Sequence, residues 1–102
     1  PDVNVYPLYF TDEITIEFPV EVSGRAMVSM YSAAGTLVYQ TAYMVDGGAI
    51  LYISGLEGLP KGAYMVVVEV GTTKFVKKLL KEQNQSVTGN SRINVWITGN
   101  RS

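Results

Sequence analysis

The sequence predicts an all-β fold, an antiparallel sandwich of seven or eight strands, and three observations carry that expectation. Apolar residues recur at every second position, which is the period of a strand and not of a helix. Turn-forming groups built on Gly and Pro separate the apolar runs at intervals of about ten residues. The chain has 102 residues, of which 47% are hydrophobic and 17% charged. That is enough for one domain with a core, and too apolar for a disordered tail.

The runs can be taken in order. Val3 to Tyr6 reads as a strand pairing at an edge. In Glu13-Ile-Thr-Ile-Glu-Phe18, Ile14, Ile16 and Phe18 take one face while Glu13, Thr15 and Glu17 take the other, the pattern of a half-buried strand. Ala26, Val28 and Met30 oppose Met27, Ser29 and Tyr31 in the next run. Leu37, Tyr39, Thr41 and Tyr43 share a face in the third, and Ala49 to Ile53 forms the fourth. Ala63 to Val70 is apolar on both faces except at Glu69, which predicts a central strand. Lys74 to Leu80 is the sixth run, with Lys74 and Lys78 on one side and Lys77 and Lys81 on the other. The expected core is Ile14, Ile16, Phe18, Val28, Met30, Leu51, Ile53, Leu56, Tyr64, Val66 and Val68. Residues 1–81 make the sandwich domain. Residues 82–102 read as a polar linker followed by an extra edge strand or tail over Ser91 to Thr98, where Ile93, Val95 and Ile97 alternate.

The breaks between runs carry turn chemistry. Val22 to Arg25, Ala34 to Thr36, Asp46 to Gly48, Leu59 to Gly62 and Val70 to Thr73 each place Gly, with or without Pro, between two strands. Leu59-Pro-Lys-Gly-Ala-Tyr64 is the sharpest of them. Its Leu-x-x-Gly-x-Tyr spacing suits a tyrosine corner of immunoglobulin-like sandwiches, in which the phenol folds back to bond the backbone upstream and Gly62 permits the reversal. Leu59, Gly62 and Tyr64 are its structural residues.

Composition excludes most chemistry. The chain has no His and no Cys, so the commonest general base, thiol nucleophiles, disulfides and tetrahedral zinc or iron–sulfur sites are all missing. Seven Ser and eight Thr find no Ser-x-x-Lys spacing that would activate them. Asp12 and Glu13 are adjacent and so face opposite ways on an extended chain. Asp46-Gly-Gly48 lacks the ligand ladder of a calcium loop, and no glycine-rich phosphate cradle is present. We therefore expect no enzyme, no cofactor and no metal. The net charge of −1 gives no footprint for nucleic acid, and no apolar run approaches the roughly 18–20 residues of a membrane span. Two surface features stay in play. Tyr39 and Tyr43 are candidates for stacking on a ligand. The Lys74, Lys77, Lys78, Lys81 group is a candidate recognition strand, with edge protection as its plain structural alternative.

The order of motifs completes the reading. Val5-Tyr-Pro7, Thr11-Asp-Glu-Ile-Thr-Ile16, Val28-Ser-Met-Tyr31 and Ala34-Gly-Thr-Leu-Val38 are followed by Leu51-Tyr-Ile-Ser-Gly-Leu56, Leu59-Pro-Lys-Gly-Ala-Tyr64 and Lys74-Phe-Val-Lys-Lys-Leu-Leu-Lys81. Over about residues 5–81 this series resembles the C-terminal sorting domain of the Por (type IX) secretion system. Two differences stand out: Leu8-Tyr9 replaces the family's Asn-Pro, and the chain continues past Lys81. The resemblance implies an immunoglobulin-like sandwich borne by secreted proteins, export across the outer membrane, and a secreted, periplasmic or outer-surface location. It sets Lys77, Lys78, Leu79, Leu80 and Lys81 on the family's terminal signal positions. The expectation is a non-catalytic, secretion-associated or cell-surface interaction module that meets a protein of the secretion or surface machinery, with an edge-strand homodimer also open. The alternative is a carbohydrate- or peptide-binding module using Tyr39 and Tyr43.

Overall fold

A computed structural model describes residues 2–82. Its elements are β1 (Asn4–Tyr6), β2 (Tyr9–Phe10), β3 (Ile14–Glu17), β4 (Gly24–Ser32), β5 (Leu37–Val45), β6 (Ile50–Ile53), β7 (Gly62–Val70) and β8 (Thr73–Lys81). They form a three-stranded sheet, β1-β3-β6, and a five-stranded sheet, β2-β8-β7-β4-β5. No helix occurs among the described residues. The linker and extra strand expected over 82–102 lie outside the described residues, apart from Glu82. Its N–H donates to the Phe10 carbonyl at 2.8 Å.

The core lies between the two sheets and follows the alternation of the strands. Val28 opposes Val68 and Met30 opposes Val66 across β4 and β7, while Ile14 and Ile16 oppose Ile53 and Leu51 across β3 and β6. All eleven residues expected in the core are buried, each large aliphatic contributing about 1.5–3 kcal/mol. β7 lies between β8 and β4, the central position its apolar run predicted; Tyr64, Val66, Val68 and Val70 are buried on its inward face, while Met65 on the outward face is exposed. Val3, Phe10, Phe75 and Leu79 extend the core towards the sheet edges, and Phe10 meets Tyr64 edge-on at 6.0 Å.

One strand was not expected, and it qualifies the antiparallel description. β2 is two residues long and pairs with β8 in parallel, Tyr9 with Leu80 and Phe10 with Lys81. The chain leaves β1 at Pro7 and crosses to the other sheet without a hairpin, so β2 joins β8 from outside the meander. A two-residue strand has no alternation to read. The resulting strand order is compatible with an immunoglobulin-like arrangement, in which the first strand divides between the two sheets.

Two glycines are required by their surroundings. A Cβ on Gly47 would meet the Val20 carbonyl oxygen at 2.2 Å, so the Asp46–Gly48 turn packs directly on the Pro19–Val20 backbone. Gly62 opens β7 at φ +145°, a conformation that L side chains rarely adopt. From there Tyr64 turns its ring inward, and its hydroxyl donates to the Pro60 carbonyl at 2.5 Å. Leu59, partly buried, packs against the core beside this turn.

Candidate functional site

β8 holds four of the eight Lys and Arg residues of the chain, and its pleat divides them. Phe75, Leu79 and Lys81 turn inward and are buried, and Lys77 on the same side is half-buried. Lys74, Val76 and Lys78 turn outward and are exposed. The run Lys77 to Lys81 is therefore not one surface. Leu79 is 1% exposed and belongs to the core. Lys81 lies in register with Gly62 on one side and Phe10 on the other. Its stem is covered there, and its Nζ donates to the Glu82 carbonyl at 3.2 Å, as long cationic side chains do when their alkyl part is buried. Leu80 is half-buried between Ala63 and Tyr9. Lys78, beside Met65, is the fully outward member of the five.

Lys77 has a partner distant in sequence. Its Nζ lies 2.6 Å from Asp2 Oδ2, fastening the N-terminal segment to β8. The Lys77 hydrogen bond holds the Asp2 carboxyl below its ordinary value. On the outer side, Lys74 stands opposite Glu69, a favourable cross-strand pairing of charges.

The edge of β8 is open along most of its length. The Leu80 N–H donates to Leu8, and the Glu82 N–H to Phe10, so the even-numbered backbone groups face the β2 side. Backbone direction alternates along a regular strand. The N–H and C=O groups of Lys74, Val76 and Lys78 therefore point to the same edge, where β2 reaches only Leu80 and Lys81. No described residue pairs with them. Beside Lys78, a notch of about 330 Å³ is lined by Ala33, Ala63, Tyr64 and Met65.

The two tyrosines singled out for stacking do not form an outer platform. Tyr39 is opposite Met30 and Tyr43 opposite Ala26, so both belong to the inward face of β5. Tyr39 packs against the core. Tyr43 remains 44% exposed on β5, the edge strand of the five-stranded sheet. Alternation fixed their common face, but not that the face was the inner one. The lysines of β8 pointed to a protected edge, but how much of that edge stays open had no signal in the sequence, since it depends on how far β2 reaches.

No group of three or more acidic residues that could hold a metal ion occurs among the described residues, and they include no helix long and apolar enough to cross a membrane. The profile of one protein family, described as the secretion system C-terminal sorting domain, matches residues 4–82. None of the curated proteins compared with the chain matches it.

Proposed function

The chain belongs to the secretion system C-terminal sorting domain family, and from that premise we propose that it is a type IX sorting module read through the outward side and open edge of β8. Family membership supports a secretion-associated role and a secreted or cell-surface protein. The observation that carries the finer reading is the division of β8. Leu79 and Lys81 are withdrawn into the fold, while Lys74, Lys78 and an unpaired stretch of backbone are presented together. An exposed strand edge offers ready hydrogen bonds to an added strand. Flanking lysines add charge that speeds encounter with an acidic partner and fixes register. The module needs no catalytic group for this work.

The test fuses a reporter ahead of residues 1–102 in a host with type IX export. Lys74→Gln with Lys78→Gln cuts surface display severalfold, while the purified domain stays folded and its thermal midpoint falls only slightly with loss of the Lys74–Glu69 pairing. Unchanged display by this double variant overturns the edge reading, and failure of the unsubstituted fusion to leave the cell overturns the sorting role. Deleting residues 77–81 is a poorer probe, because it removes Leu79 from the core.

A further inference from the structure

The outer face of the three-stranded sheet carries a constellation that the sorting role does not use. Register brings Tyr6, Thr15 and Tyr52 into one row, and Asn4, Glu17 and Ile50 into the next. Tyr6 and Tyr52 thus flank Thr15 two strand spacings apart, roughly 9.5 Å. Tyr52 is 63% exposed and Tyr6 37%, yet Thr15 between them is 8% exposed. The flanking side chains cover it and form a continuous surface.

Glu17 is held in place on this surface. The Tyr6 hydroxyl donates to Glu17 Oε2 at 2.6 Å, and Asn4 Nδ2 reaches Oε1 at 3.5 Å. That hydrogen bond, first among the causes, pushes the Tyr6 phenol above its ordinary value, so Tyr6 is a protonated donor at neutral pH. A carboxylate oriented by two neighbours keeps lone pairs for further donors. Tyr52 makes no hydrogen bond to another described residue, and Ile50 beside it is half exposed.

Aromatic faces beside a fixed acceptor suit one ligand chemistry. The C–H faces of pyranose rings stack on tyrosine, and sugar hydroxyls donate to a carboxylate. Two rings at this separation match alternate residues of an extended oligosaccharide, with one sugar lying over Thr15 between them. The six residues include no cation, and the negative charge of Glu17 disfavours an anionic ligand. We infer that the outer face of β1-β3-β6 binds a neutral oligosaccharide, with Tyr52 and Tyr6 as stacking platforms and Glu17 as hydroxyl acceptor. This site is distinct from Tyr39 and Tyr43 and does not rest on the sorting role, because β8 lies in the other sheet.

The test titrates the ¹⁵N-labelled full chain with cellohexaose, mannohexaose and, as the anionic counterpart, oligogalacturonate, following backbone amide shifts. A neutral hexasaccharide moves the amides of Tyr6, Thr15, Glu17 and Tyr52, and oligogalacturonate does so more weakly. Tyr52→Ala weakens binding about tenfold, the change expected when one central contact is lost, while the domain stays folded with only a small fall in thermal midpoint from the lost cross-strand contact with Thr15. Glu17→Gln keeps the shape and loses part of the affinity. Any of three results overturns the inference: no shift with either neutral sugar, shifts centred on Tyr39 and Tyr43, or equal binding by the Tyr52→Ala protein.

Discussion

Val76 and Leu79 stand three residues apart on β8, and they belong to different parts of the molecule. Leu79 faces inward opposite Tyr64 and is 1% exposed; Val76 faces outward opposite Val67 and is 47% exposed. Their backbones differ as well. Leu79 lies in the set bonded to β7, whereas Val76 turns its N–H and C=O to the open edge. One strand thus serves two ends. Its odd-numbered residues hold the sandwich together, while Lys74, Val76 and Lys78 turn outward along the open edge and Leu80 is held by β2. A linear string such as Lys77-Lys-Leu-Leu-Lys81 is split by the pleat, so a partner binding the folded domain cannot read it as a string.

The largest effect tests this contrast directly. Leu79→Ala costs about 2–5 kcal/mol, for lost burial and the cavity left behind, while Val76→Ala changes stability by no more than about 0.5 kcal/mol. Urea unfolding of the two variants measures both. Comparable losses at the two positions would mean that the outer face is packed rather than free.

A second pair of variants sharpens the comparison at the level of the backbone. Lys77→Pro removes an N–H bonded to β7 and orphans a buried acceptor on Val66, which costs about 1–3 kcal/mol. Val76→Pro removes an N–H that no described residue accepts, a place where edge strands tolerate proline. The expected result is a clear fall in thermal midpoint for Lys77→Pro and a much smaller one for Val76→Pro. Reversal of that order would show that the alternation of backbone direction along β8 has been assigned the wrong way round.

What could be read in advance follows the same division. Ile14, Ile16, Val28, Val66 and Val68 were legible because burial leaves its mark at every second residue. The turn before Tyr64 was legible because Gly62 and Pro60 have few conformational uses. β2 was not, because Tyr9 and Phe10 are too few to show a period and their pairing depends on a crossing from the other sheet. The face of Tyr39 and Tyr43 was legible, but its direction was not. Nothing within β5 states that it is the edge strand of its sheet, or on which side the second sheet lies. The row of Tyr6, Thr15 and Tyr52 joins three separate segments, so it exists only once register is set. The outward role of Lys78 against the covered position of Lys81 likewise depends on neighbours, namely Gly62 and Phe10, that lie far away in sequence.

The smallest effect concerns the one inward-side lysine that still reaches water. Lys77 and Asp2 are separated by 75 positions in sequence, and their ion pair ties the N-terminal segment to β8. The hydrogen bond from Lys77 depresses the Asp2 carboxyl, so the ionised carboxylate is the form that favours the folded state. Its contribution is fully present above the ordinary aspartate range and is lost as pH falls through the depressed native value. Both partners are partly exposed, at 32% and 62%, so the effect is small and weakens with added salt. Asp2→Asn therefore lowers the thermal midpoint slightly at neutral pH and low salt, and the gap from the unsubstituted protein closes in acid. A gap that stayed constant into acid would show that Asp2 acts through its shape or its backbone and not through its charge. Val3, buried beside it, would then be what secures the N-terminal segment.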